Sequence, residues 1–175
     1  FKPKLVLRAV LFTISVLCGK IKNTSEIKMV PSLLSEFDNH KLVSYIHDQK
    51  GGLRGFIAIH RGNGELPSFG ATRFWHYDRP EEALNDALRL SKMMSYKAAL
   101  AGIPYGGAKG VIMNPNPDNN SLSPQKKADI LKAYVNQVNY FGGHFITGTD
   151  VGISQEELFL MAKQRKTRNL GLNRS

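Results

Sequence analysis

A glycine-rich segment that runs straight into an apolar one constrains this chain more than any other feature. Gly106-Gly107-Ala108-Lys109-Gly110 leads into Val111-Ile112-Met113. The short apolar run, Lys109 to Met113, is a buried-type strand. The glycines ahead of it are expected to turn, because glycine lets a backbone come close to a ligand or a second chain. Helical patterns flank the segment. Before it, Asp78-Arg79-Pro80 opens a helix, with Asp78 as the cap and Pro80, Glu81 and Glu82 in the first turn. Ala83, Ala87, Leu90, Met94, Lys97 and Ala101 follow one face, with Leu84 and Leu88 beside it. After it comes a loop rich in Pro and Asn over 114–121, then a helix from Ser123-Pro124 to about Val138, with Ala128, Leu131 and Val135 on one face.

The remaining elements complete an alternation. Leu42 to Ile46 and Gly55 to His60 read as two strands joined by the turn Asp48 to Gly52, a hairpin. A loop over 61–67 precedes a strand-like stretch from Phe69 to Trp75, interrupted by glycine. Gly142-Gly143 ends the second helix, His144 to Thr147 is a short strand, and Gly148-Thr149-Asp150 turns away from its carboxyl end. Ser154 caps a last helix, with Glu157 three residues on as a capping box. Strands alternating with helices imply an α/β fold. The expectation is a layered α/β/α domain with a mostly parallel sheet plus an N-terminal hairpin. Ligands of such open sheets bind at the carboxyl ends of strands, which is where Asp150 falls.

Composition separates the two ends from the middle. The 175 residues carry a net charge of +10. Residues 1–28 and 163–175 each account for +5, so the segment between them is neutral, with 13 basic and 13 acidic side chains. A basic reading face belongs within a folded domain, so a nucleic-acid partner is not expected. One cysteine, Cys18, excludes an internal disulfide, and the five histidines (40, 47, 60, 76 and 144) lack metal-ligand spacing. They read as surface or structural groups. Residues 1–18 resemble a charged-then-apolar leader, too short for a confident membrane span. The natural protein is expected to begin at Met29, with a helix-like start at Pro31, leaving 1–28 as an extension outside the fold. The basic tail 164–175 reads as disordered. N-terminal sequencing that ran through Lys28 into Met29 would overturn the first expectation.

Lys97 closes the first helical face, and Lys109 follows twelve residues later; Asp150 lies forty-one residues beyond Lys109. Met94 and Lys97, three apart, point the same way, so the apolar stripe ends in a lysine and reads as a pocket wall. A lysine held in a cleft has its pKa lowered by burial, which suits it to proton transfer. A phosphate-binding loop is excluded, because Ala108 separates Gly107 from Lys109 and Gly110 stands where Ser or Thr is needed. No G-x-G-x-x-G fingerprint occurs in the chain.

Taken together, the stretches Gly52 to His60, Phe69-Gly70-Ala71-Thr72-Arg73, Leu88-Arg89-Leu90-Ser91, Tyr96-Lys97-Ala98-Ala99, Gly106-Gly107-Ala108-Lys109 and Asp150-Val151-Gly152 resemble, in order and spacing, the N-terminal half of the Glu/Leu/Phe/Val dehydrogenases. The resemblance covers 29 to about 163 and is nearest the branch for apolar amino acids typified by leucine dehydrogenase. It implies that Lys97 binds the substrate α-carboxylate, that Lys109 is the catalytic lysine and that Asp150 relays protons. In the glutamate branch a lysine meets the substrate's second carboxylate; the matching position here is Phe69. An apolar substrate is therefore expected, with Phe69, Gly70, Ala71, Met94 and Gly148 near its side chain and no choice made among leucine, valine and phenylalanine. The resemblance also implies NAD or NADP, a homo-oligomer, and a cytoplasmic enzyme acting on CH–NH2 donors without a membrane partner.

Family members continue into a Rossmann domain that binds the cofactor, and this sequence shows none. The 175-residue chain alone is therefore expected to be inactive. The competing reading is a non-catalytic module that binds an amino acid or self-associates.

Overall fold

The computed structural model describes residues 35–62, 66–118 and 122–163. The expected extension 1–28, the helix start at Pro31 and the basic tail lie outside the described residues. Five strands form one sheet: β1 Leu42–Asp48, β2 Leu53–Ile59, β3 Ser68–Trp75, β4 Gly106–Met113 and β5 Phe145–Thr149. Among the described residues three helices accompany them: α1 Pro80–Leu100, α2 Pro124–Asn139 and α3 Gln155–Lys163.

The strand order is β1-β2-β4-β3-β5. β1 and β2 form the expected hairpin, registered from Leu42↔Ile59 to Asp48↔Leu53. Its turn is held by the Gly51 N–H donating to Asp48 Oδ1 at 2.5 Å, and Gly52 takes a φ of 75° that favours glycine. The hairpin is an integral edge of the sheet, since β2 pairs antiparallel with β4. β3, β4 and β5 run parallel to one another.

The connections β3–α1–β4 and β4–α2–β5 travel in opposite directions across the sheet, so right-handed crossovers place the helices on opposite faces. The glycines of β4 record this alternation. A Cβ on Gly107 would lie 2.1 Å from Ser95 N on α1, and one on Gly110 would lie 2.1 Å from the Tyr134 hydroxyl on α2. This corrects the expected turn. The glycines sit inside a strand whose eight residues are all buried; helices approach Gly107 and Gly110 too closely for a side chain, and the Arg61–Gly62 backbone does so at Gly106.

The larger apolar cluster lies on the α2 face, where Ile130, Tyr134, Val135 and Val138 meet Ile57, Ile112, Phe74 and Phe145. Each fully buried large side chain there contributes roughly 1.5–3 kcal/mol. Ala128, expected on that face, is exposed. The face of α1 is built from small residues, Ala83, Ala87 and Ser91, with Leu88, which lets the helix lie close to the sheet. The buried stripe of α1 is therefore offset from the expected one, and Met94 and Lys97 fall at its edge.

Two helix ends are set locally. Asp78 does not cap α1: the N-cap is Arg79 without a side-chain bond, while Asp78, 88% exposed, stands 3.4 Å from His76 Nε2. Pro80 at the first turn makes the helix start without that cap. At the other end Gly102, at φ 65°, lets the Ile103 N–H reach Ala98 O at 2.9 Å and turns the chain back into β4. The expected capping box of α3 is present, with Ser154 N–H to Glu157 Oε2 at 2.8 Å and Glu157 N–H to Ser154 Oγ at 3.2 Å.

Candidate active site

The site is assembled on the α1 side of the sheet by strand alternation. Lys109 follows Gly107 by two residues of β4, so both point toward α1. The register of β3 against β4 runs from Ser68↔Gly106 to Thr72↔Gly110, which sets Ala71 beside Lys109, and Ala71 pairs in turn with Gly148 of β5. Lys109, Ala71 and Gly148 thus share one rung. Asp150, two residues past Gly148, returns to the same face, and its Oδ2 forms an ion pair with Lys109 Nζ.

Lys109 is 4% exposed. Burial pulls its pKa below the ordinary lysine value, against the raising effect of the Asp150 hydrogen bond. Burial pulls Asp150 upward, but the Lys109 hydrogen bond, the Val151 N–H and the charges of Lys109 and Arg73 outweigh it, so its carboxyl is held below the usual range. The pair thus combines an anionic carboxylate with a lysine that gives up its proton more readily than usual, an arrangement able to exchange a proton.

Sequence reasoning gave no role to the next members of this network. Arg73 Nε donates to the same Asp150 Oδ2 at 3.1 Å, and its Nη1 donates to Asp86 Oδ2 at 2.7 Å. Asp86 is further held by Arg89 at 2.6 Å and by the Tyr77 hydroxyl at 2.8 Å. Burial and the hydrogen bond to Asp86 push the Tyr77 hydroxyl pKa up, so Tyr77 remains a donor. Period-two counting along Phe69, Ala71 and Arg73 is the signal that would have placed Arg73 on the Lys109 face.

A cavity of about 380 Å³ is lined by Phe69, Met94, Lys97, Ala98, Ala101 and the loop into β4. Three expected site residues therefore meet there. Phe69 is 44% exposed and pairs with Gly107, one step of about 7 Å along the strand from the Lys109 rung. A Cβ on Gly148 would lie 3.8 Å from Phe69 Cζ, which places Gly148 at the same wall. Lys97 is exposed and, among the described residues, has no ion pair or side-chain hydrogen bond, so its ammonium is available to an anionic ligand. Gly70 differs from the others. A Cβ there would run into Ala108 O at 1.7 Å, so Gly70 serves the close approach of β3 and β4 and faces away from the cavity.

A family model for the Glu/Leu/Phe/Val dehydrogenase dimerisation domain matches residues 40–167. The chain belongs to this family. L-tryptophan dehydrogenase of Nostoc punctiforme is 42% identical over 125 residues, covering 71% of this chain and 33% of the relative. Leucine dehydrogenase of Bacillus subtilis is 36% identical over 126 residues, covering 71% of this chain and 32% of the relative. The crystal structure of the Nostoc tryptophan enzyme superposes with a TM-score of 0.64 at 38% identity, over 73% of this chain and 36% of that one. The chain thus spans about a third of the length of the curated relatives it matches. Tryptophan was not among the side chains expected from the sequence.

In this Glu/Leu/Phe/Val dehydrogenase domain, no group of His, Cys, Asp or Glu among the described residues is arranged to hold a metal, and no described helix is long and apolar enough to cross a membrane. The described residues also hold no dinucleotide cradle. Of the β4 glycines, Gly107 and Gly110 pack against α1 and α2 and Gly106 against the Arg61–Gly62 backbone, so none opens onto a helix N-terminus.

Proposed function

We propose that this chain supplies the substrate-binding and proton-handling part of an NAD(P)-dependent L-amino-acid dehydrogenase acting on apolar amino acids. The observation that carries this reading is the buried Lys109–Asp150 pair on the same face of the sheet as Phe69, which lines a largely apolar cavity together with Lys97. Lys97 pairs with the substrate carboxylate and orients it. Phe69, Met94, Ala98 and Ala101 receive the side chain, and no cation stands at Phe69 to meet a second carboxylate. Lys109, once its ammonium proton has passed to solvent, takes a proton from the attacking water, and the Asp150 carboxylate takes one from the amine, as the amino acid becomes 2-oxo acid and ammonia. NAD or NADP would supply the hydride acceptor, bound outside the described residues.

A homo-oligomer is supported by the family description of this domain and by β1, an edge strand with Val43 and Tyr45 exposed. A cytoplasmic setting and inactivity of the isolated chain are part of the same reading. Calorimetric titration with 2-oxo-4-methylpentanoate and with 2-oxoglutarate tests it. The apolar acid is expected to bind about tenfold more tightly, and Lys97→Ala to cost about tenfold. Equal binding of the dicarboxylate would overturn the substrate class, and an unaffected Lys97→Ala would overturn the site. Production of NAD(P)H by the 175-residue chain would overturn the predicted inactivity.

A further inference from the structure

On the opposite side of α1 from Lys97, a second polar chain, anchored on a buried histidine and half-buried elsewhere, has no part in the steps above. His60 follows β2 directly and is 1% exposed. Its backbone N–H donates to Gly107 O at 2.8 Å. Its side chain reaches the other half of the same residue. The Gly107 N–H donates to Ser95 Oγ at 3.1 Å, and Ser95 Oγ lies 2.9 Å from His60 Nδ1. His60 Nε2 lies 3.2 Å from Asp38 Oδ2. One assignment of protons satisfies every member: Ser95 donates to Nδ1, and Nε2–H donates to the carboxylate. Residue 107 is thereby gripped at both its N–H and its C=O by His60, once directly and once through α1.

The location gives this ring its consequence. Gly107 has no side chain, so α1 rests on the β4 backbone at Ser91 and Ser95. Lys109 stands two residues along β4, and Met94 and Lys97 flank Ser95 on α1. The Ser95 contact thus joins the helix that carries Lys97 to the strand that carries Lys109. We propose that the Asp38–His60–Ser95 relay is a positioning device that fixes the α1 lysine, Lys97, against the β4 lysine, Lys109, through Gly107. The inference rests on the proposed function for its ligand, though its geometric core does not.

Charged and titratable groups facing His60 are Asp38, Arg61, Lys92, Tyr96 and the neighbouring ring of His40, 4.8 Å away. Burial, reinforced by the Arg61 and Lys92 charges, lowers the His60 pKa against the pull of Asp38, which keeps the ring neutral and Nδ1 an acceptor at neutral pH. Protonation turns Nδ1 into a donor. Ser95 Oγ then faces two donors and its own hydrogen loses its acceptor.

The test uses the isotope-labelled 175-residue chain. Long-range nitrogen NMR is expected to show His60 with Nε2–H and an acceptor Nδ1 at pH 7.5; the opposite tautomer overturns the relay. Ser95→Ala is expected to weaken 2-oxo-4-methylpentanoate about tenfold and to move the Lys109 Nζ titration upward, as the looser α1–β4 contact lets solvent nearer the strand. His60→Gln, which can keep both contacts, is expected to stay within about threefold of wild type at pH 7.5 and to lose the wild-type fall in affinity that tracks His60 protonation. Unchanged affinity and unchanged Lys109 titration in Ser95→Ala overturn the proposal. Should Ser95→Ala fail to fold, the His60 tautomer and the pH profile of His60→Gln still decide it. Absence of ligand binding by the wild-type chain overturns the functional reading alone, and the Lys109 titration then decides the relay.

Discussion

Removing Asp150 and removing Lys109 should have unequal consequences, and the inequality follows from where each group sits. The Lys109 side chain is 6% exposed and that of Asp150 is 21% exposed. Asp150→Ala leaves a buried ammonium without its carboxylate and beside the Arg73 guanidinium. Losing one partner of a buried pair costs about 3–5 kcal/mol, and the partial exposure of Asp150 places this case near 3 kcal/mol. Lys109→Met removes the cation and fills its volume, while Asp150 keeps Arg73 at 3.1 Å and some solvent. That change should cost less than about 1.5 kcal/mol. Urea denaturation at pH 7.5 resolves a gap of this size. The pH dependence gives a second reading. In Asp150→Ala, burial and Arg73 continue to lower the Lys109 pKa, and the opposing hydrogen bond is gone. Between that lowered value and the unfolded one near 10.4, the unfolded chain binds more protons, so the variant gains stability as pH rises, at up to about 1.4 kcal/mol per unit. The deficit relative to wild type should therefore shrink from pH 7.5 to pH 10. Equal losses in the two variants, or a deficit that holds constant with pH, would refute the buried-charge account.

Two further outcomes are expected. Gly107→Ala would set a methyl 2.1 Å from Ser95 N and 2.4 Å from Ser91 O, both helix backbone, and should cost ~3 kcal/mol. Gly102→Ala, at φ 65° with nothing within 4 Å, should cost only ~1 kcal/mol; melting curves that rank the two the other way would refute the packing argument. His40 and His60 both have pKa values lowered from 6.5, in each case by burial first. Stability should be full above pH 6.5 and fall as pH drops from there toward the folded values, by up to about 2.7 kcal/mol per unit for the two; a flat urea midpoint between pH 6.5 and 5.5 would sink this.

The strands, three helices, hairpin and α3 capping box were legible because each is written locally, in alternation, helical spacing or a three-residue box. The β4 glycines were misread as a turn for a physical reason. Glycine permits both a turn and a close approach, and only the helices packed on either face decide between them. The histidines escaped in the same way. His40 is 3.1 Å from Ser91 Oγ and His60 is 2.9 Å from Ser95 Oγ, contacts spanning 51 and 35 residues that no local pattern records. Lys109 and Asp150 were placed together by resemblance, and strand alternation explains why they meet. Arg73 was within reach of the same counting, but its bond to Asp86 on α1 was not.

β4 is paired along both edges and covered on both faces, so its amides should exchange only when the whole sheet opens. Lys109 is anchored to this least mobile part of the domain. Lys97, by contrast, rides on an exposed helix end, and Asp150 on a turn just past a strand at the sheet edge. Under the proposed function, accommodation of differently sized side chains falls to those two, while the origin from which proton-transfer distances are measured stays put.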